Sequence, residues 1–347
     1  MSKRKSVRIM KRIGLLCLFS IVCFASIILY KEISYIPSPI LIPDGMEIQS
    51  NVLGHYYRDY SQRYSNISKK YIFDRNGVPT YHLKGNCYYH PVRISQYALG
   101  AFEYFLDTGN NDAKNAFLTC AEWLTNNLRK HGKFFYWEYR FGHTDVPWFS
   151  AMAQGQGASV LLRAFSETHD KKYLHSARKA IEPIAHDISQ GGVSVLKENT
   201  YLFPQEYSTN SPSEVLNGAI SAWFGVYDYY RATGDSEVEQ FCEGIMNTFL
   251  WCIEEYDTSY WSLYCRSPKY LASPYYNSVH VCQLKILYLI SGEKKFLKYS
   301  KRFETYQSNW INRTKYVLAN HLRQIKEHEF SDIYKLPSFL KETLFRR

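Results

Sequence analysis

One spacing constrains this chain more than any other feature. Four segments each read as an amphipathic helix, a turn of small and acidic residues, and a second amphipathic helix. They run from Val92 through Thr108-Gly109-Asn110 to Leu128, and from Ser150 through Thr168-His169-Asp170 to Ile184. The third runs from Ser213 through Thr233-Gly234-Asp235 to Ile253, and the fourth from Ser278 through Ser291-Gly292-Glu293 to Trp310. The turn residues Gly109, His169, Gly234 and Gly292 follow one another at 60, 65 and 58 residues. A fixed period of this size marks a repeat architecture. Hairpins whose apolar stripes match Ile220, Trp223, Phe224, Tyr227 and Tyr230 cannot bury those stripes alone and must stack. The expectation is a mainly α fold: an incomplete (α/α) toroid of about four hairpins with a central cleft, or a straight solenoid.

Aromatic, β-prone stretches separate the hairpins, over 71–89, 134–148, 193–207 and 256–276. Loops on a rigid scaffold are where ligand-binding residues gather. Three of four tyrosine-rich clusters immediately precede the first helix of a hairpin: Cys87-Tyr88-Tyr89-His90-Pro91, Gln205-Glu206-Tyr207 and Pro274-Tyr275-Tyr276-Asn277. The fourth is Tyr256-Asp257-Thr258 with Tyr264-Cys265-Arg266. The repeat therefore puts three of them at equivalent helix ends around one mouth. Taken singly, each reads as packing at a helix entry.

The first residues differ in kind. Ile13 to Tyr30 carries no charge and follows Lys3, Arg4, Lys5, Arg8, Lys11 and Arg12. Its length and flanking charge predict a transmembrane signal anchor over 13–30, behind a basic cytoplasmic tail over 1–12. A cleaved signal peptide is the alternative. A proline-bearing stem over 31–50, an extension over 51–90, the (α/α) domain over 91–310 and a tail over 311–347 would follow. The domain would then be extracytoplasmic, facing the periplasm of a bacterium or, alternatively, the Golgi lumen. Without the six basic residues the net charge of +10 falls to +4. That suits a polyanionic ligand, while nothing in the sequence matches nucleic-acid recognition. Cysteine spacing shows neither a metal pattern nor a disulfide framework. Nucleophile-elbow, zinc-protease and phosphate-loop motifs are absent. Gly155-Gln156-Gly157 reads as small-residue helix packing, and Asp228, Glu254 and Glu255 as charges on helix faces rather than glycosidase carboxylates.

The segments Trp148–Phe165, Glu206–Tyr230, Tyr256–Arg266 and Tyr275–Leu284, with the earlier YYHPVRISQYAL (Tyr88–Leu99), resemble the C-terminal domain of D-glucuronyl C5-epimerases. The resemblance covers roughly residues 85–308. It implies an incomplete (α/α) barrel and conversion of D-glucuronic to L-iduronic acid residues in a heparosan-like polysaccharide. The family's glutamate-tyrosine pair falls on Glu206 and Tyr207, and its two later tyrosines on Tyr264 and Tyr276. Its arginine falls on Arg266, one residue closer to the tyrosine than in the family, and its substrate-binding asparagine on Asn217. Tyr88, Tyr89, Arg140 and His280 complete the expected substrate contacts. Inversion at C5 needs proton-transfer groups on both faces of the sugar and a cation or hydrogen-bond donors for the charge that develops. The carboxylate itself carries that charge, so neither an organic cofactor nor a metal is expected. The partners expected are the acidic polysaccharide, the membrane and, compatibly, a second copy in a homodimer. A lyase or hydrolase acting on uronic acids, and a non-catalytic glycan binder, are the competing readings.

Overall fold

The computed structural model describes residues 20, 23–24, 26–46, 48, 50–65, 71–142, 146–209 and 211–335, with side chains up to 326. The chain is mainly helical. Four helical hairpins follow in order: α1 (Pro91–Thr108) with α2 (Asn111–Asn126), α3 (Ala151–Thr168) with α4 (Lys171–Ile181), α5 (Leu216–Thr233) with α6 (Ser236–Cys252), and α7 (Pro274–Ser291) with α8 (Lys294–Ser308). The odd helices end at Gly109, His169, Gly234 and Gly292, all in the left-handed region at φ 71°, 58°, 67° and 74°. His169 takes this conformation where the other turns use glycine, which has no Cβ penalty there. The last hairpin starts four residues before the expected Ser278, because Ser273 caps it and Pro274 occupies its first turn.

Each hairpin is preceded by a short antiparallel pair or triplet of strands. These are β1 (Ile72–Phe73), β2 (Pro79–Leu83) and β3 (Asn86–Tyr88), then β4 (Arg129–His131) with β5 (Phe134–Tyr136). β6 (Ser194–Lys197) pairs with β7 (Tyr201–Pro204), in register from Ser194 opposite Pro204 to Lys197 opposite Tyr201, and β8 (Leu263–Cys265) pairs with β9 (Tyr270–Leu271).

The residues form two compact units. One holds 38–258 and 262–304. Within it α1, α3, α5 and α7 pack in sequence as an inner row, with the even helices outside. Residues 151–164 of α3 are all buried, so this helix has no solvent face. It lies very close to α5. A Cβ on Gly155 would fall 2.4 Å from the Ala222 carbonyl oxygen, and one on Gly225 would fall 2.1 Å from that of Gly155. Gly155 thus serves helix packing. The other unit holds residues up to Pro37, Ser259–Trp261 and those from Thr305 onward. Within it the helix α9 (Trp310–Lys335) sends Arg313 Nε to the Ile33 carbonyl at 2.6 Å and pairs His321 with Glu32 at 2.7 Å. Most of 13–30, where a membrane span was expected, lies outside the described residues. Among those described, no helix is long and apolar enough to cross a membrane.

Residues 50–63 run along the inner row. Arg231 donates to the carbonyls of Ser50 and Val52, and Arg163 to those of Gly54 and His55. Tyr57 donates to Asp228 at 2.6 Å, and Arg163 pairs with Asp228 at 2.7 Å, both ion-pair side chains being 0% exposed. Tyr60 receives a bond from Gln156 on α3 and gives its backbone N–H to Glu103 on α1 at 2.6 Å. Asp228 is therefore the centre of a buried network and not the helix-face charge its sequence suggested. Removing one member of a buried ion network leaves charge uncompensated. Asp228→Ala should cost about 3–5 kcal/mol in urea denaturation and open residues 50–60 to limited proteolysis. An unchanged midpoint would contradict the network's role.

Candidate active site

Because every strand pair leads into an inner helix, the residues between them arrive at the same helix ends. Glu206 and Tyr207 follow β7 and precede α5, Tyr264 is the middle residue of β8, and Tyr276 lies in the first turn of α7. The structure brings these four side chains together. The Tyr264 hydroxyl reaches Glu206 Oε1 at 3.5 Å, and Tyr207 bonds to both Glu206 and Tyr264. The rings of Tyr264 and Tyr276 lie 4.9 Å apart. Tyr207 packs on Trp148 at 5.5 Å, which stacks on Tyr139 at 4.0 Å, giving the cluster an aromatic wall.

Glu206 owes its place to a glycine. A Cβ on Gly218, in the first turn of α5, would fall 2.5 Å from Glu206 Oε2, so only glycine leaves room for the carboxyl there. Glu206 Oε2 is buried and has no hydrogen-bond partner. Burial pushes the Glu206 carboxyl up to about 7, against the lowering effect of the Tyr207 and Tyr264 hydroxyls. Burial and the Glu206 charge hold the Tyr207 and Tyr264 phenols well above their usual range and push Tyr276 up to about 12. At neutral pH the cluster is one carboxyl poised between its two states, facing protonated phenols. A group titrating near the working pH is suited to proton transfer.

The other expected contacts fall in different places. Tyr88, Tyr89 and Arg140 line one surface cavity of about 260 Å³ with Trp123 and Phe141. Phe141 also packs on the Tyr139–Trp148–Tyr207 wall, which joins that cavity to the cluster. Arg140 is held by Glu138 at 2.6 Å, and Tyr89 donates to Asp74 at 2.8 Å. Asn217 is buried beside Gly218, its carbonyl accepting from Gln283 and Ser221. Two expectations need correction. Arg266 is bound to Glu214 at 2.5 Å and Glu255 at 2.6 Å and lies over the Trp251 ring, so its charge is already used. His280 is 0% exposed, bonds Ser262 at 3.0 Å and is held down to about 3 by burial, so it is a neutral core residue and not a sugar contact. Glu254 accepts from Tyr299 at 2.8 Å. Among the described residues no three His, Cys, Asp or Glu side chains gather as a metal cluster.

Several contributors were not picked out from the sequence. Gly218 is adjacent to Asn217, but its role depends on a contact 12 residues away in the chain. Trp148 and Tyr139 meet through an isolated β-bridge that periodicity does not reveal. Arg58 comes from the extension, where no repeat marks it. Its guanidinium lies over the Tyr60 ring at 4.9 Å and donates to Tyr275, the neighbour of Tyr276.

Residues 126–305, just over half of the chain, match the family described as D-glucuronyl C5-epimerase C-terminus. An uncharacterized protein of Methanocaldococcus jannaschii is 29% identical over 184 residues, which is 50% of this chain and 58% of that protein. The D-glucuronyl C5-epimerase of Caenorhabditis elegans is 37% identical over 122 residues, 33% of this chain and 19% of that enzyme. The chain thus spans less than two thirds of either relative. Among solved structures, cellobiose 2-epimerase from Spirochaeta thermophila gives a TM-score of 0.44 at 11% identity, over 61% of this chain and 57% of its own.

The raised Glu206 value carries a sign that stability can test. Between 4.5 and about 7 the folded chain holds a proton that the unfolded chain has lost. Stability from this group is therefore full below the lower value and is lost as pH rises through the upper one. Glu206→Gln removes the buried charge. It should melt roughly 2–4 °C above the parent at pH 8 and level with it at pH 4. Equal melting at both pH values would show that Glu206 is not destabilised by its surroundings.

Proposed function

Since this chain belongs to the D-glucuronyl C5-epimerase C-terminal family, we propose that it inverts C5 of D-glucuronic acid residues to L-iduronic acid within a heparosan-like acidic polysaccharide. The observation that carries this reading is Glu206: a carboxyl pushed up to about 7, with one buried unpartnered oxygen, among three phenols. The C5 hydrogen lies beside the sugar's carboxylate, so its removal puts further charge on an anionic group. A carboxylate titrating near neutrality can take that proton and, in its acid form, return one. Tyr207, Tyr264 and Tyr276 stay protonated at neutral pH and donate hydrogen bonds to the charge that develops, the part of catalysis that preorganised donors serve. Inversion further requires a second proton-transfer group on the opposite face, for which Tyr276, in the first turn of α7, is the candidate.

The cavity of Tyr88, Tyr89 and Trp123 has ring faces suited to a neighbouring sugar of the same polyanion. The row of inner helices with strand pairs at one end supports the incomplete (α/α) toroid. The uncharged run over 13–30 behind six basic residues supports a membrane anchor with the catalytic domain outside the cytoplasm.

Heparosan incubated with the protein in D₂O should gain deuterium at C5 and iduronate signals in NMR, with chain length unchanged. Glu206→Gln should slow that exchange by roughly 100-fold or more. Chain cleavage with ultraviolet absorbance from a C4–C5 double bond would identify a lyase instead. Absence of both deuterium uptake and cleavage would leave a glycan binder.

A further inference from the structure

Trp123 belongs to two cavities. On one side it lines the cavity of Tyr88 and Tyr89. On the other it lines a second cavity, of about 690 Å³, with Asn76, Asn115, Thr119 and Asn126. Asn115, Thr119, Trp123 and Asn126 recur at helical spacing along one face of α2, over about 16 Å from first to last. The other face of α2 buries Phe117, Cys120, Ala121 and Leu124. A surface helix ordinarily turns charge to solvent. The outer helix α8 does so with Lys294, Lys298, Lys301 and Arg302, all exposed. The α2 wall of the cavity instead offers amides, a hydroxyl, an indole and the apolar Leu118. Its one charge, Glu122, is already engaged by Lys172 at 2.7 Å and by the Asn126 amide at 3.0 Å. Among the described residues neither lysine nor arginine lines the cavity, and the Asn115 and Thr119 side chains make no hydrogen bond. The facing wall is the turn between β1 and β2. There Asp74 accepts the backbone N–H groups of Asn76 and Val78 at 2.9 Å and the Tyr89 hydroxyl at 2.8 Å. The Tyr89 ring in turn lies 5.0 Å from that of Trp123, so the two cavities share a braced wall.

We propose that this second cavity is a distal binding site for uncharged sugar units, bearing hydroxyl and acetamido groups, of the polysaccharide whose uronate lies at Glu206. The identity of that polymer rests on the epimerase reading above. A pyranose presents an apolar C–H face and a rim of groups that both donate and accept. Asparagine amides and a threonine hydroxyl also do both, and an indole face suits the C–H face. With no free cation, the cavity offers nothing to a carboxylate or a sulfate, so it reads the neutral units between the acidic ones. A chain of ring contacts leads there from the cluster. Tyr207 packs on Trp148, Trp148 on Tyr139, Tyr139 on Phe141 and Phe141 on Tyr88, and Tyr89 meets Trp123. Contacts spread over 16 Å of α2 follow a chain instead of gripping one ring. Engaging the polymer at a second place raises the effective concentration of its uronates at Glu206. These contacts are the same before and during proton transfer, so they act on KM and not on kcat.

Calorimetric binding of long heparosan, and C5 deuterium exchange in the same polymer, test this together. Asn115→Ala combined with Thr119→Val should weaken binding by roughly 5- to 10-fold. Asn76→Ala, on the facing wall, should weaken it by roughly 3-fold and covers the case in which the double variant does not fold. The loss should be the same at low and high salt, because uncharged contacts are not screened. In exchange, KM for long heparosan should rise by the binding factor with kcat unchanged, while KM for a heparosan tetrasaccharide stays at the parent value. Unchanged binding of long heparosan in both variants would overturn the proposal and leave the epimerase standing. An equal rise in KM for polymer and tetrasaccharide would also overturn it, since the defect would then lie at Glu206. Binding of long heparosan that the variants weaken, without C5 exchange by the parent, would overturn the epimerase and keep the distal site.

Discussion

A single carboxylate, Asp228, orders the interior of this protein. It lies on α5, unexposed, between Arg163 of α3, Arg231 of its own helix and the hydroxyl of Tyr57. A charge so placed opposes folding unless every partner is present, so the network specifies how these pieces meet more than it adds stability. The piece it fixes is the extension. Asp228 lies 12 residues past the start of α5, about 18 Å along the helix from its first turn. From that depth residues 57–63 cross the inner row past Gln156 and Glu103, and Arg58 reaches from there to the Tyr275 hydroxyl in the first turn of α7. The position of Arg58 thus depends on a contact made about three helical turns away.

The two ends of the inner row treat burial differently. At Asp228 each buried charge has its counter-charge. At Glu206 the carboxyl is buried beside Gly218 with one oxygen unpartnered, and the result is a group near 7 instead of a stable ion. Such an arrangement lowers stability and is the kind of local conflict expected where a protein does chemistry. His280 shows the inert alternative. Burial holds it neutral, with Ser262 on one nitrogen and no ionic neighbour, and it stays a packing residue.

The hairpins were legible because period and capping are local. Gly109, Gly234 and Gly292 mark left-handed turns in the sequence itself, and the polar residue His169 took the same conformation at the same spacing. The convergence of Glu206, Tyr207, Tyr264 and Tyr276 followed from placing their loops at equivalent helix ends, together with the family resemblance. What sequence could not supply were contacts between distant segments. Arg266 and His280 sit in the right stretches, but Glu214 and Ser262 engage them first. Asp228 resembled a surface charge because its partners lie 65 and 171 residues away. Arg58 and Gly218 carried no periodic signal, since each matters for one long-range contact only.

The central claim is that a uronate is held with Glu206 on one side of C5 and the first turn of α7 on the other. A crystal structure with a glucuronic-acid oligosaccharide tests it most directly. The account predicts the sugar's C5 within reach of the Glu206 carboxyl, its opposite face towards Tyr276, and a neighbouring sugar against Tyr89 and Trp123. An oligosaccharide seated wholly in the Tyr88–Trp123 cavity, with Glu206 untouched, would contradict it.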